Sequence, residues 1–175
     1  IIYQKHMTHN IIKNTRLDWL NNGYNCFLIR HPAKVINSYL KKNNLLSIDD
    51  IGFKKQFEIF NMIKKDKIKY LVVNADTILQ DPLKTLKKLC KILKIRFTKK
   101  MMSWPKGKRS SDGIWSTVWY KNVELSNTFS KYKKEKYYVP KKYNDIYEES
   151  LKYYNEMNQY SCLLYTSDAA DEKYR

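Results

Sequence analysis

The sequence is organised around Asn25-Cys-Phe-Leu-Ile-Arg30-His-Pro32-Ala-Lys-Val-Ile-Asn-Ser38-Tyr-Leu-Lys-Lys42. Cys26 to Ile29 is a short apolar run, which is typical of a strand buried on both faces. Arg30 ends this run, and Pro32 suits the first turn of a helix because its missing N–H costs nothing there. Apolar residues then recur at helical spacing, at Val35, Ile36, Tyr39 and Leu40. The stretch therefore predicts a strand followed at once by a helix.

This strand and helix predict a position for Arg30 that favours anion binding. The arginine would lie at the carboxyl end of a strand, and His31 would lie outside the helix because it precedes a proline. Open α/β sheets bind anionic ligands at such a position, since the N-terminus of the helix offers free N–H groups and a positive dipole end. An ion pair between Arg30 and a surface carboxylate is the alternative, and the stretch alone leaves both interpretations open.

Further strands and helices alternate along the chain. Ile1–Lys5 reads as the end of a strand, Thr15–Leu20 as a short helix and Tyr70–Val73 as a second buried strand. Ser47–Asp50 predicts a helix start, and Asp81-Pro82 predicts another with Asp81 as N-cap. The expected core faces of these two helices comprise Phe53, Phe57, Phe60 and Ile63, and Leu83, Leu86, Leu89, Cys90 and Leu93. With a terminal helix over 144–160, the alternation predicts an α/β fold with a parallel sheet and flanking helices.

Length and composition limit the classes of protein to which the chain can belong. The chain has 175 residues, which is enough for one domain with a core. We find neither a secretory signal nor an apolar run long enough to span a bilayer. The first residue is not Met, so we expect the chain to be cut from a longer one. Cys26, Cys90 and Cys162 give neither a disulfide framework nor a metal pattern; we expect core packing for the first two and a reducing, cytoplasmic environment.

The formal net charge of +17 attracts polyanions and anionic metabolites alike. Lys, Asn, Ile and Tyr are abundant along the whole chain, which indicates a general compositional bias. Many of the lysines are therefore expected to be solvated surface. The charge by itself is weak evidence for nucleic-acid binding.

A second cationic segment lies at Lys106–Gly113, which is rich in turn-forming residues. Backbone N–H groups and cationic side chains of such a loop suit phosphate contacts, although an ordinary surface loop is the alternative. Trp115, Trp119 and Tyr120 follow and predict a helix packed on the domain.

These motifs, in this order and spacing, resemble the P-loop-like sulfotransferases, which transfer a sulfonate from 3′-phosphoadenosine-5′-phosphosulfate (PAPS) to an acceptor hydroxyl or amine. Arg30 and Ser38, eight positions later, match the family motif in which these two residue types hold the 3′-phosphate. Asp81-Pro82 and its Leu-rich helix are similar to the family's helix after the adenine-side strand. Lys108-Arg-Ser-Ser-Asp-Gly-Ile-Trp115 resembles the late basic loop that closes over the cofactor. The likeness covers roughly residues 1–145 and is greatest to a bacterial branch of the family.

The resemblance implies a P-loop NTPase-like fold that uses PAPS without a metal. It implies cofactor-binding roles for Arg30, Ser38, Lys108, Arg109, Ser110, Gly113 and Trp115. The family's catalytic base is usually a histidine two residues after a lysine. Met7 occupies that place after Lys5, so His9 is the favoured base, His6 the second choice, and Lys5 would stabilise charge on the bridging oxygen.

The sequence also departs from the family pattern. The family's first strand–loop–helix, which binds the phosphosulfate, has no counterpart here, and Ser110 replaces a glycine of the basic loop. We therefore expect the 175 residues to be inactive alone. The domain is expected to span residues 1–160, while 161–175 resemble translated sequencing-adapter read-through and form an unrelated tail.

Two other functions stay open from the sequence. A P-loop kinase-like phosphotransferase would need a Walker-type loop, which we do not find, and an acidic metal ligand. Asp76 could serve as that ligand, although a turn-capping role is favoured for it. A basic nucleic-acid-binding module would use the many Lys and Tyr residues, with a steep salt dependence and no special role for Arg30. In the favoured interpretation the partners are a nucleotide sulfonate donor and an acceptor that the sequence does not identify, with no specific nucleic acid.

Overall fold

The computed structural model describes residues 1–12, 14–113, 116, 120–134 and 136–161. The chain divides into two compact units, one of residues 1–75 and 135–175 and the other of residues 76–134. The described β-strands and α-helices are, in chain order, β1 (Asn25–Ile29), α1 (Pro32–Leu40), α2 (Phe53–Lys65), β2 (Tyr70–Asn74), α3 (Ala75–Gln80), α4 (Pro82–Ile92), α5 (Lys121–Glu124) and α6 (Asn144–Asn158).

The two described strands form a parallel sheet in the first unit. Phe27 lies opposite Val72, and Ile29 lies opposite Asn74. Parallel neighbours cannot be joined by a tight turn, so the connection passes through α1 and α2. The predicted α/β architecture with a parallel sheet and flanking helices is thus confirmed. Because the strands run in the same direction, the residues that follow β1 and β2 lie at one edge of the sheet.

The core of this unit packs one face of the sheet against α2 and α6. Its buried members are Leu20, Phe27, Ile29, Ile59, Phe60, Ile63, Val72 and Met157. The ring of Phe60 is 1% exposed and meets Phe27 edge to face, with 5.6 Å between ring centroids. The predicted apolar face of α2 is confirmed at Phe53, Phe60 and Ile63, whereas Phe57 is only partly buried at the edge of the core.

The prediction that β1 is buried on both faces is wrong. Side chains alternate along a strand, and in β1 Phe27 and Ile29 face the core while Leu28 is 58% exposed. The expected core role of Cys26 is wrong for the same reason, since this residue shares the exposed face. Cys90 is 4% exposed, as expected of a core cysteine.

Two N-terminal predictions are also corrected. Residues 1–5 are not a strand: Ile1, Ile2 and Tyr3 are fully or largely exposed, and within the described residues this segment has no ladder partner for its backbone. The short helix expected at Thr15–Leu20 is a 3₁₀ helix at Asp18–Asn22, which ends at Gly23.

The predicted helix starts are close to those observed. Asp81 caps α4, because its Oδ1 accepts a hydrogen bond of 3.0 Å from the Lys84 N–H. Within α4 Cys90 is buried, but Leu83 is 44% exposed and does not belong to the core face. At Ser47–Asp50 the chain forms a 3₁₀ helix (Ile48–Ile51), and α2 begins only after Gly52. The terminal helix is confirmed as α6, two residues shorter than predicted.

Parts of the predicted C-terminal region lie outside the described residues, namely Trp115, Trp119 and residues 162–175. Ser161, where we placed the start of the tail, is 6% exposed and forms a parallel bridge to Val72. Across the described part of the chain, no helix combines the length and apolar character needed to cross a membrane.

Candidate anion-binding site

Arg30 follows β1 directly and precedes α1 by two residues. The side chain is exposed, and it makes no hydrogen bond or ion pair with any other residue that the structure describes. The alternative in which a surface carboxylate neutralises Arg30 is therefore not realised within these residues. The strand end thus presents a cation beside the N-terminus of α1, the arrangement that favours an anionic ligand.

Aromatic contacts fix the turn between Arg30 and α1. His31 has φ −52° and ψ 130°, so it lies outside the helix as predicted. Its ring centroid lies 5.4 Å from that of Tyr154 and 6.2 Å from that of Tyr147, both on α6, and 6.5 Å from that of Tyr137. These contacts attach the start of α1 to the terminal helix, which restricts the backbone that carries Arg30.

Ser38 is exposed on α1, about 9 Å along the helix axis from Pro32 at 1.5 Å per residue. Lys34 lies one turn earlier on the same face, because residues four apart are neighbours on a helix. It is 8% exposed, and its Nζ lies 5.0 Å from the ring centroid of Tyr137. We use the name α1 cation face for Lys34 and Ser38 on the helix together with Arg30, which precedes the helix by two residues.

Lys34 is not among the binding residues that the sequence predicts. Its position four residues before Ser38, one helical turn away, is the signal that the sequence offers. The contact with Tyr137 could not be read from the sequence, because the two residues are far apart along the chain. The connector at Tyr137–Tyr138 is held against α1 by Asn37, whose side-chain amide donates to the Tyr138 carbonyl at 2.9 Å.

The buried side-chain amide of Asn74 stabilises the carboxyl end of β2. Asn74, the last residue of β2, is 5% exposed. Its Nδ2 donates hydrogen bonds of 2.9 Å to Tyr154 Oη and 2.9 Å to Asn158 Oδ1. Since Tyr154 also contacts His31, α6 connects the carboxyl ends of both strands.

The candidate bases differ in their surroundings. The ring of His6 stacks on Trp19, with 4.5 Å between centroids, and its Nε2 lies 3.4 Å from Gln4 Oε1. His9 lies in a 3₁₀ turn (Thr8–Asn10), is exposed, and makes no side-chain hydrogen bond within the described residues. Lys5 is exposed as well. Both histidines are exposed, and they differ in that Trp19 stacks on the ring of His6.

A small cavity of about 260 Å³ lies beside the segment that follows His9. Apolar side chains of Ile11, Leu17, Ile59 and Met62 line much of it. Lys55 and Glu58 also line it and form an ion pair of 2.8 Å, at 37% and 48% side-chain exposure. The cavity is thus mainly apolar with a charged pair at its edge.

The second unit carries the predicted basic loop. Lys108, Arg109, Ser110 and Gly113 are exposed, and Trp115 lies outside the described residues. The loop backbone is fixed locally, because the N–H of Gly107 donates to the Glu124 carbonyl at 2.8 Å. The N–H of Arg109 donates to Asp112 Oδ2 at 2.9 Å, which closes a tight turn.

The loop is further stabilised by Trp104, whose Nε1 donates to Ser126 Oγ at 3.1 Å. The ring of Trp104 also meets Phe129 edge to face, with 5.4 Å between centroids. Three cations therefore project from a constrained turn, at Lys106, Lys108 and Arg109.

Carboxylate and thiol side chains are the other groups that could carry chemistry. Among the residues that the structure describes, no three His, Cys, Asp or Glu side chains are grouped so that they could hold a metal ion. Asp76 lies in the first turn of α3. Although Cys26 is exposed as a residue, desolvation by neighbouring atoms raises the pKa of its thiol.

Comparison with known proteins decides the family. A family model described as a sulfotransferase domain matches residues 1–161, which is most of the chain. The chain belongs to the sulfotransferase domain family. The resemblance inferred from Arg30, Ser38 and the basic loop is confirmed at this level, and the sheet edge with the α1 cation face is a feature of this sulfotransferase domain.

Two curated relatives from Arabidopsis thaliana are similar to this sulfotransferase domain. Branched-chain-amino-acid aminotransferase-like protein 1 is 31% identical over 153 residues, which cover 87% of this chain. Branched-chain-amino-acid aminotransferase-like protein 2 is 27% identical over 151 residues, which cover 86% of this chain. The matched region is 27% of the length of each relative. No solved structure matches the chain.

Proposed function

We propose that this sulfotransferase domain binds PAPS and takes part in transferring its sulfonate to an acceptor hydroxyl or amine. One observation carries the proposal: Arg30 is exposed at the carboxyl end of a parallel strand, beside the start of α1, with no ion pair among the described residues. Ser38 lies on the same helix at the family's spacing. A P-loop NTPase-like arrangement of the complete domain belongs to the same proposal.

The α1 cation face fits the 3′-phosphate of this donor. A dianionic phosphate is bound most strongly by charge-assisted hydrogen bonds, and the guanidinium group of Arg30 can make two of them in parallel. The hydroxyl of Ser38 supplies a neutral donor, and Lys34 adds positive potential on the same face. The first turn of α1 contains no acidic residue that would oppose an anion.

The remaining roles are proposed from the family motifs. We assign His9 as the base that accepts the proton of the acceptor hydroxyl, with His6 as the second choice, and Lys5 as the cation near the leaving oxygen. Lys108, Arg109 and Ser110 would contact phosphate, and Gly113 and Trp115 would belong to the loop that covers the donor. PAPS, when bound, supplies the activated sulfonate.

A nucleic-acid-binding function is the second candidate, because the net charge of +17 favours any polyanion. The two candidates differ in their dependence on Arg30. Phosphate recognition at one position requires that arginine, whereas polyanion binding draws on the total charge and changes little with any single cation.

Binding of adenosine 3′,5′-bisphosphate (PAP) to the 175-residue chain tests the donor site by calorimetry. Arg30→Ala should weaken binding about tenfold or more, because a charge-assisted contact contributes about 1.5–3 kcal/mol. Arg16→Ala is the matched control, since it removes the same charge from a side chain that is 90% exposed and paired with Asp18.

Three outcomes are decisive. AMP, which lacks the 3′-phosphate, should bind more weakly than PAP and should be insensitive to Arg30→Ala. Equal losses in the Arg30→Ala and Arg16→Ala chains would contradict a specific phosphate site. Tight binding of a single-stranded oligonucleotide with a steep salt slope, unaffected by Arg30→Ala, would favour the nucleic-acid alternative.

Transfer itself is measured on the complete product of the gene that encodes this sequence, called the full-length polypeptide below, because the chain spans only 27% of the length of its curated relatives. Radiolabelled PAPS is incubated with a panel of hydroxyl and amine acceptors. Label that moves to an acceptor and depends on Arg30 supports the function. Label that remains on the nucleotide for every acceptor class would count against it.

A further inference from the structure

We infer that Gly52 is a positioning residue that fixes the segment carrying His9; this inference rests on the proposed function, in which His9 is the base. Gly52 lies between the 3₁₀ helix at Ile48–Ile51 and the first residue of α2. It is buried and has φ +69° and ψ 12°, in the left-handed region that glycine adopts without strain. The left-handed conformation of Gly52 therefore connects the end of the 3₁₀ helix to the start of α2.

The turn that contains His9 lies directly against this glycine. Thr8 Oγ1 donates a hydrogen bond of 3.0 Å to the Gly52 carbonyl. A Cβ atom placed on Gly52 would lie 2.7 Å from Thr8 Oγ1 and 3.1 Å from the backbone nitrogen of His9. The first distance is shorter than carbon and oxygen atoms tolerate, and the second involves backbone. Only a residue without a side chain permits this approach.

The contact attaches a mainly exposed segment to a rigid element. Residues 1–7 are exposed. Within the part of the chain that the structure describes, the backbone hydrogen bonds of the turn at Thr8–Asn10 are short-range, from Asn10 N–H to the Met7 carbonyl and from Ile11 N–H to the Thr8 carbonyl. In contrast, α2 is anchored in the core by Ile59, Phe60 and Ile63. The contact with Gly52 therefore holds the backbone of His9 at a fixed position relative to α2.

Such positioning matters for a base, because small displacements of a reacting group are costly. A misplacement of about 1 Å can reduce a rate about a hundredfold. Loss of the contact should therefore lower turnover without removing any group that binds the donor. A residue with a merely structural role would instead affect donor binding and turnover together.

The experiment compares Gly52→Ala with Gly23→Ala in the full-length polypeptide. Gly23 is the matched control because it has φ −177°, which any residue adopts, and nothing within 4 Å of a built Cβ. Gly52→Ala should lower kcat about tenfold or more with the KM for PAPS unchanged, whereas Gly23→Ala should leave both unchanged. Combined with His9→Gln, Gly52→Ala should cause no further loss, because both changes act on the same group.

A second variant and a second measurement keep the inference testable if Gly52→Ala folds poorly. Thr8→Val removes only the hydrogen bond to the Gly52 carbonyl and should lower kcat in the same direction but less. In the 175-residue chain, hydrogen exchange of the Ile11 amide should become at least about tenfold faster in Gly52→Ala and stay unchanged in Gly23→Ala.

The outcomes separate the inference from the proposed function. Normal kcat and normal Ile11 exchange in Gly52→Ala would overturn the inference, as would an equal rise of the KM for PAPS. Absence of sulfonate transfer in the unmutated polypeptide would overturn the proposed function, and the positioning role with it, whatever the exchange data show. Full activity of His9→Gln would likewise remove the group that Gly52 positions.

Discussion

The ammonium group of Lys34 lies 5.0 Å from the ring centroid of Tyr137, a residue of the connector that precedes α6. The lysine is 8% exposed, so an aromatic face in part replaces the water that would otherwise solvate its charge. The connector is held there by the Asn37 amide, which donates to the Tyr138 carbonyl. A cation is thereby kept on the helix face that also carries Ser38.

The first prediction concerns this cation. Lys34→Met keeps most of the apolar stem and removes the charge, so PAP binding should weaken about tenfold while the chain still folds. Lys41→Met, at the exposed C-terminal end of α1, is the control and should have little effect. Calorimetric titration of both variants measures the difference, and equal affinities in the two variants would remove Lys34 from the site.

The second prediction distinguishes the two candidate bases. His9→Gln in the full-length polypeptide should lower kcat about a hundredfold, because the glutamine side chain cannot take up the proton of the acceptor. His6→Gln should lower kcat far less, since the His6 ring stacks on Trp19. A larger loss of kcat in His6→Gln than in His9→Gln would reverse the assignment.

The third prediction concerns the buried amide at the end of β2. Asn74→Leu has a similar volume but removes the hydrogen bonds to Tyr154 Oη and Asn158 Oδ1. The free energy of unfolding should fall by about 2 kcal/mol, because two part-buried oxygens each lose the hydrogen bond from the Asn74 amide. Asn61→Leu, on an exposed position of α2, should change it by less than about 0.5 kcal/mol.

Urea unfolding of the 175-residue chain measures both asparagine variants. A fall of the same size in Asn61→Leu would show that the loss is a general effect of the substitution. In that case the Asn74 network would have no special part in holding α6 to the sheet edge.

The fourth prediction follows from the raised pKa of Cys26. Desolvation disfavours the thiolate, so alkylation of Cys26 by iodoacetamide should reach half its maximal rate at a higher pH in the folded chain than in the urea-unfolded chain. The folded state retains this proton where the unfolded state loses it, so by linkage the stability falls as pH rises through the folded pKa.

Peptide mass spectrometry assigns the alkylation rates to Cys26 and separates them from those of Cys90, which is 4% exposed and should react slowly. The unfolded chain is the internal control, because it contains the same thiol without the neighbouring atoms. A midpoint in the folded chain at or below that of the unfolded chain would contradict the predicted direction.

Local patterns were sufficient for much of the fold. The predicted positions agree closely with the structure for β1, α1, β2, α4 and α6, because apolar periodicity, Pro32 and the Asp81 cap act within a few residues. The apolar face of α2 is also predicted, but this helix begins at Phe53 and not at Ser47–Asp50. The predictions for residues 1–5 and for the two faces of β1 were wrong, because an apolar run does not specify the strand or helix against which it would pack. Ile1–Lys5 is apolar but has no ladder partner among the described residues, and only one face of β1 meets α2 and α6.

The candidate site divides in the same way. The order of Arg30, the helix start and Ser38 is predictable from local sequence, because the strand end and the helix follow one another without long-range contacts. In contrast, the contact of Tyr137 with Lys34 and the approach of Thr8 and His9 to Gly52 depend on tertiary packing. These contacts join residues far apart in the chain, and their distances depend on how helices pack on the sheet, which no local pattern contains.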